Sequence, residues 1–372
     1  MSPQLNGEAW PAWLPLRENL QPLTPYGAPQ VPAEAALNVN ENPYAPSQKL
    51  ARAISTRIEE IAVNLNRYPD RDALKLRSEL ARFVNELSGT TLTASNIWAA
   101  NGSNEIIQSL FLAFGKGSAL GFTPSYSMHS LIAKVTGVQW IDGKRRADFS
   151  LDIESAISQI AEYKPVLTFV TTPNNPTGES ISISEIERLA KAVLAVNGLL
   201  IVDEAYAEFS DEESAATLIE KHPHVIVIRT MSKAFAFAGV RLGYMAAQPV
   251  VIDAMLLVRL PYHLSALTQA AAEVALEFQS ELLGTVAQLR ADRDFVASEL
   301  HKIGMKVLPS QANFLLFSGF DMEPSVLWKA LLERGVLIRD VGLPGHLRVT
   351  IGNEAENKKF LEALISILNG AN

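Results

Sequence analysis

Val166-Leu-Thr-Phe-Val-Thr-Thr-Pro-Asn-Asn-Pro-Thr-Gly178, Leu199-Leu-Ile-Val-Asp-Glu-Ala-Tyr206 and Val225-Ile-Val-Ile-Arg-Thr-Met-Ser-Lys-Ala-Phe235 share one construction. In each, a short and continuously apolar run passes directly into a cluster of polar side chains. The runs are rich in β-branched residues, which suits parallel strands covered on both faces. Between the first two, Ser184-Glu-Ile-Glu187 reads as a capping box, followed by Ile186, Leu189, Ala190, Val193 and Leu194 at helical spacing and an Asn197-Gly198 stop. This is a βαβ unit. Chains of such units form doubly wound α/β sheets, where ligands bind beyond the carboxyl ends of the strands. Neighbouring parallel strands would bring the three clusters together. An acid, a lysine, an asparagine and a tyrosine converging there suit a planar, anionic cofactor.

Outward from these strands the pattern stays mixed. From Asp72 it turns helical, with Leu76, Leu80, Phe83, Val84 and Leu87 on one face and Ser88-Gly89 ending the run. A long, mostly helical stretch runs from Leu267 to about Lys302. Beyond it, short strands (Asn313–Phe317, Val336–Ile338, Leu347–Ile351) mix with helices near Pro324–Arg334 and Asn353–Leu368, which reads as a smaller α+β domain. Nine of the 20 prolines fall before residue 47, so the first 46 residues are expected to form an extended arm lying on another surface, where Trp10, Trp13, Leu14, Leu16 and Tyr26 would find burial. The expected division is an arm at 1–46 packed with the small domain, a large domain at 47–266, and a bridging helix with the small domain at 267–372.

The 372 residues are 48% hydrophobic and 19% charged, which excludes wholesale disorder, collagen-like repeats and a long coiled coil. Against a net charge of -8 no Lys/Arg block stands out, so neither nucleic acid nor an anionic membrane is an expected partner. No cysteine is present, which removes disulfides, thiolate metal sites and thiol nucleophiles together. His222-Pro-His224 is the one close histidine pair and lacks a clear third ligand, so no metal is expected. With no basic residue before Arg17 and no apolar run near the roughly 20 residues of a membrane span, the expectation is a cytoplasmic protein.

Four motifs in order, Asn174-Asn-Pro-Thr-Gly178, Asp203-Glu-Ala-Tyr206, Ser232-Lys-Ala-Phe235 and Gly239-Val-Arg-Leu-Gly243, resemble those of fold-type I pyridoxal-phosphate aminotransferases. The resemblance runs from Asn40-Glu-Asn-Pro43 to Leu347-Arg-Val-Thr350. It implies a three-layer large domain with a mainly parallel sheet, a smaller α+β domain and pyridoxal 5'-phosphate as cofactor. By the same resemblance, Lys233 carries the cofactor and then moves the proton of the reaction, and Asp203 pairs with the pyridine nitrogen. Asn175 and Tyr206 hydrogen-bond the ring oxygen, and Tyr126 stacks on the ring. Gly102, Ser103 and Asn104, which precede an apolar helical run, would offer backbone N–H groups to the phosphate at a helix N-terminus. Thr230, Ser232 and Arg241 match further phosphate ligands. Tyr68, in Asn66-Arg-Tyr-Pro-Asp70, matches a tyrosine given across a homodimer interface to the neighbour's phosphate. The residues alone leave plainer readings open: Asp203 and Asn175 as turn formers, Ser103 as a helix cap, Tyr126 as core.

Within the family, Tyr68-Pro-Asp70, Pro124-Ser-Tyr-Ser-Met128 and Ile338-Arg-Asp340 followed by Leu347-Arg-Val-Thr350 are most similar to histidinol-phosphate aminotransferases. That implies Arg339 and Arg348 on the substrate's phosphate, and on glutamate's carboxylates in the other half-reaction with 2-oxoglutarate. Tyr26 and Tyr262 would close the pocket, or else pack in the core. Relatives acting on phenylalanine and tyrosine are the alternative. His129 departs from the family, which often carries a second tyrosine there, and is expected to alter the pocket wall or stand behind it.

Overall fold

The computed structural model describes residues 10–370 except residues 12 and 26. In chain order, a two-residue strand β1 (Ala35–Ala36) leads to helices α1 (Gln48–Ala62) and α2 (Leu74–Ser88). Next come β2 (Ile97–Ala100), α3 (Ser103–Phe114), β3 (Ser118–Thr123), α4 (Ser127–Thr136), β4 (Gln139–Lys144) and α5 (Ile153–Tyr163). The strands identified from sequence follow as β5 (Leu167–Thr171), β6 (Leu199–Asp203) and β7 (Val225–Thr230), with α6 (Ile183–Ala195) between the first two. β8 (Gly243–Ala246) and α7 (Pro249–Val258) complete the large domain.

The seven strands form one sheet in the order β2-β8-β7-β6-β5-β3-β4, parallel except that β8 runs against both neighbours. The winding reverses between β3 and β5: β4 lies outside β3, whereas β6 and β7 extend from β5 on the other side. A cleft opens at such a reversal beyond the strand carboxyl ends. The sheet is buried on both faces. Phe169, Ile201, Ile226 and Ile228 pack with Ile107 and Phe111 of α3 and Ile132 of α4 in one core, while Val170, Val202, Val225 and Val227 join Ile186 and Leu189 of α6 in the other.

The capping box at α6 lies two residues earlier than the sequence reading placed it. Ser182, not Ser184, accepts the Glu185 N–H, and Glu185 returns the bond to the Ser182 N–H at 3.1 Å. Both Ser182-Ile-Ser-Glu185 and Ser184-Glu-Ile-Glu187 fit the pattern. Only the first places apolar residues, Ile181 and Ile186, at the two positions that staple a helix start, and both are buried in one core. The α2 helix ends as expected, with Gly89 in the left-handed region and its N–H on the Asn85 carbonyl at 2.8 Å.

The expected long helix is two, α8 (Ala266–Glu277) and α9 (Gln279–Lys302), parted at Phe278. The rest comprises β9 (Lys306–Val307), β10 (Phe314–Ser318), α10 (Pro324–Glu333), β11 (Val336–Leu337), β12 (Leu347–Thr350) and α11 (Glu354–Gly370). β12, β10 and β9 form an antiparallel sheet. The arm divides its contacts. Arg17 and Asn19 donate to the Val135 and Lys134 carbonyls at the end of α4, at 2.5 and 2.6 Å, where a cation suits the helix dipole. Further on, β1 pairs in parallel with β11 of the small domain. Trp13 is 79% exposed, contrary to the burial expected for it.

Candidate active site

The cleft at the sheet reversal is a cavity of about 710 Å³. Four strand ends supply it. After β3, Pro124 to Ser127 bring Tyr126; after β5 comes Asn175; β6 ends in Asp203 and leads to Tyr206; β7 ends in Thr230 and leads to Ser232 and Lys233. The convergence expected from the three apolar runs is therefore the observed arrangement.

Asp203 is 2% exposed and shares its two oxygens between the Ala205 N–H (3.2 Å) and His129 Nε2 (2.9 Å). His129 sits on the inner face of α4, three residues after Tyr126, buried against Phe169. It stands behind the acid and does not line the cavity. With the proton on Nε2, it donates to one Asp203 oxygen and fixes the carboxylate's orientation. Of the two places the sequence left open for His129, the pocket wall or behind it, the second is the observed one.

Lys233 Nζ donates to the Val39 carbonyl at 2.9 Å. Burial, then the nearby charge of Arg348, brings its pKa down from 10.5 to about 8 against the opposing pull of Glu41. The ammonium is thereby made easier to deprotonate. Tyr206, 5% exposed, receives Asn40 Nδ2 at 2.8 Å and Asn175 Nδ2 at 3.4 Å. Asn175 Oδ1 in turn accepts Arg348 Nη1 at 2.6 Å, and Arg348 Nη2 donates to the Asn38 carbonyl at 2.8 Å. Arg348 also lies over the Phe314 ring, 5.2 Å from its centroid. Its guanidinium is thus fixed at the cavity wall.

At one end of the cavity, Gly102 adopts φ 81° and starts α3, and no side chain caps that helix. Ser103 is the first helical residue, so the plain capping reading does not hold for it. A Cβ on Gly102 would lie 2.8 Å from Arg241 Nη2, and one on Gly243 would lie 2.3 Å from the Ser103 nitrogen. The positive φ favours glycine at 102, and only hydrogen at 243 lets the loop and the β8 backbone meet. Thr230 Oγ1, 3.0 Å from Ser232 Oγ, completes the lining there. N–H groups at a helix start, two hydroxyls and a guanidinium are a donor set that could hold a phosphate. Tyr126 lines the same region, its hydroxyl 3.2 Å from Asn104 Oδ1.

At the other end stand Arg339 and Arg348. They are cross-strand partners in an antiparallel bridge, each N–H on the other's carbonyl at 3.0 and 2.9 Å, which sends both side chains to one face. The donor set matches a planar cofactor with a phosphate at one end and an anionic substrate at the other. Among the described residues no cluster suited to a metal ion occurs, and no helix is long and apolar enough to cross a membrane.

Tyr262, expected to close the pocket, is not among the residues lining the cavity. It is 40% exposed and its ring stacks at 4.3 Å on Tyr68, which is 79% exposed, as a residue expected to reach a neighbouring subunit can be. Tyr262 does not close this chain's own pocket. Tyr26 lies outside the described residues. The sequence reading also missed Asn38, Val39 and Asn40, which fasten Arg348, Lys233 and Tyr206; their positions, some 170–310 residues from their partners, left no local signal.

Residues 34–364 match the aminotransferase class I and II family. The chain is 53% identical over 353 residues to the histidinol-phosphate aminotransferase of Mycolicibacterium smegmatis, covering 94% of this chain and 92% of that one. It is 54% identical over 351 residues to the enzyme of the same description from Nocardia farcinica, covering 94% and 90%. Among solved structures, histidinol-phosphate aminotransferase from Sinorhizobium meliloti in complex with pyridoxal-5'-phosphate aligns with a TM-score of 0.83 at 23% identity, over 97% of this chain and 99% of that one. That likeness shows the fold.

Proposed function

This chain belongs to the class I and II aminotransferases and, among them, to the histidinol-phosphate aminotransferases, and we propose that it exchanges an amino group between histidinol phosphate and 2-oxoglutarate. The products are imidazole acetol phosphate and glutamate. The observation that carries this reading is the pair of anion sites at opposite ends of one cavity, the cradle at Gly102–Asn104 and the bridged arginines 339 and 348. The first suits the cofactor's phosphate. The second suits the terminal anion that both amino substrates carry.

Pyridoxal 5'-phosphate supplies, when bound, a ring that takes up the electron pair left as the substrate's Cα loses its proton. The chain's residues do the rest. Asp203, oriented by His129, would pair with the pyridine nitrogen; Tyr206 and Asn175 would hydrogen-bond the ring oxygen, and Tyr126 would cover the ring. Lys233 would hold the cofactor covalently and, once freed, would carry the proton to and from the substrate's Cα. Its lowered pKa gives a useful neutral fraction near neutral pH. Arg348 arrives already oriented by Asn175 and Asn38, so little freedom is lost when an anion docks.

The working unit in this reading is a homodimer with shared sites. Tyr68 and Tyr262, with Leu260 (75% exposed) and Leu257 (87% exposed), leave a surface that a second copy would cover, and Tyr68 would then reach the neighbour's cradle. The division at residues 46 and 266 into arm, cofactor domain and small domain, and a place in the cytoplasm, belong to the same proposal. Neither a nucleic acid nor a membrane has a role in it.

The test is a rapid-mixing titration of the yellow holoenzyme, following loss of the cofactor's absorbance band. Conversion by histidinol phosphate at low concentration is expected. Preference for phenylalanine would overturn the substrate assignment and leave Arg339 without its role.

A further inference from the structure

The segment Asn38–Asn42 runs along one wall of the cavity and is fastened residue by residue. The Asn38 carbonyl holds Arg348 and the Val39 carbonyl holds Lys233. Asn40 donates its N–H to Thr350 Oγ1 at 3.0 Å and its Nδ2 to Tyr206, and Asn42 Nδ2 reaches Thr285 Oγ1 at 3.1 Å. Asn40 has φ 57°, a left-handed turn that asparagine tolerates. Glu41, immediately after this turn, is the exception. It lines the cavity and is exposed, and among the described residues its carboxylate makes no hydrogen bond or ion pair.

An unpartnered carboxylate is out of place here. The cavity is otherwise lined by Lys233, Arg241, Arg339 and Arg348, and its other acids are engaged: Asp203 with His129 and the Ala205 N–H, Asp340 with the Gly342 N–H at 2.8 Å. Toward glutamate or 2-oxoglutarate, Glu41 adds like-charge repulsion. Toward histidinol phosphate it finds a complement. The phosphate belongs with the arginines and the amine with the cofactor, which leaves the imidazole ring, whose N–H donates and whose ordinary pKa near 6.5 lets it carry charge.

Resting on the substrate assignment above, we propose that Glu41 is a specificity-determining residue that accepts a hydrogen bond from the imidazole ring of histidinol phosphate. It selects that ring against a phenyl group, which would bury the carboxylate against an apolar edge with no donor. Glu41 and Lys233 line the same cavity.

The test compares Glu41→Gln with the wild-type holoenzyme in three half-reactions, using histidinol phosphate, phenylalanine and glutamate as donors. A charge-assisted hydrogen bond is worth roughly 10- to 100-fold in affinity. The efficiency with histidinol phosphate is expected to fall by that factor, mostly through KM, while efficiency with glutamate rises as a like charge is removed. The wild-type KM for histidinol phosphate should fall as the imidazole protonates between about pH 7.5 and 6, and that slope should vanish in the variant. Parallel losses with all three donors would make Glu41 a structural residue and overturn the proposal, as would an unchanged preference. Wild-type enzyme that does not turn over histidinol phosphate at all would instead remove the assignment on which the proposal rests, and the proposal with it.

Discussion

Lys233 offers a quantitative test through pH. Burial and Arg348 bring its pKa from 10.5 to about 8. At pH 7 an amine of pKa 10.5 is neutral in roughly three molecules in ten thousand, and one of pKa 8 in about one in eleven, a gain of ~300-fold in the nucleophilic form. Protein prepared without cofactor should therefore capture pyridoxal phosphate at a rate that rises to half its maximum near pH 8, followed by the absorbance of the attached cofactor. The same shift has a stability consequence of definite sign. Between pH 8 and 10.5 the folded lysine has lost its proton and the unfolded one has kept it, so the unfolded state binds more protons and stability rises with pH across that window. The cost present below pH 8 is on the order of 3 kcal/mol, the fall from 10.5 to about 8 converted at ~1.36 kcal/mol per pH unit, less what residual solvent contact screens. Denaturant melts of the cofactor-free protein should show this gain, and Lys233→Met should lack it. A capture rate still climbing at pH 10, or equal pH profiles for the two proteins, would refute the argument.

Other expectations follow from single contacts. His129→Phe removes the donor behind Asp203 and should slow Cα deprotonation by roughly 10- to 100-fold, with partial rescue by His129→Gln; an unchanged single-turnover rate would mean that Asp203 needs no such support. Gly243→Ala places a Cβ against the Ser103 nitrogen and should weaken cofactor affinity by roughly 10-fold or more while substrate preference stays fixed, read by spectroscopic titration of the cofactor. Arg229→Leu strands Glu204 and Glu208 in the core and should cost about 3–5 kcal/mol in denaturant melts; a loss under about 1 kcal/mol would show that the acids take up protons at little cost. Co-expressed Tyr68→Ala and Arg241→Ala chains should recover about a quarter of wild-type activity, since half of the dimers would be mixed and each would hold one intact site; no recovery would place Tyr68 outside the neighbour's cradle.

What could be read from the sequence was what local burial writes into it. The runs 166–170, 199–202 and 225–228 are apolar throughout because both faces are covered, and their polar continuations mark the strand ends where the cavity lies. The start of α6 was misplaced by two residues because two overlapping cap patterns compete and the staple that decides between them depends on the core. Tyr262 was legible only as a residue that would close the pocket or pack in the core, because a motif gives a residue type and not a direction; the fold turns it onto Tyr68. Arg348 was identified, yet the carbonyl and amide that aim it come from positions 38 and 175, which only the folded chain brings near.

The adjacent acids Asp203 and Glu204 show how the pleat sorts roles that the sequence presents side by side. Successive side chains on a strand point to opposite faces. Asp203 continues the row of Ile201, on the face packed by α3 and α4, and so meets His129; Thr230 continues the row of Ile226 and Ile228 on that same face and meets the phosphate cradle. Glu204 continues the row of Leu200 and Val202, and Arg229 that of Val225 and Val227, so these two meet on the opposite face. There Glu204 Oε2 takes Arg229 Nε at 3.0 Å and Nη2 at 2.8 Å, and its other oxygen takes the Ala215 N–H at 2.7 Å. Burial by itself would lower the Arg229 pKa, but Glu204, Tyr244 and Glu208 outweigh it and hold the guanidinium charged above its ordinary value. Arg229 is thereby spent on the far side and cannot draw the charge of Asp203 away from the cavity. One residue of register would exchange the pairs, setting Arg229 behind the cofactor ring and Glu204 against His129, so the parity of β6 and β7 is itself a condition for the chemistry.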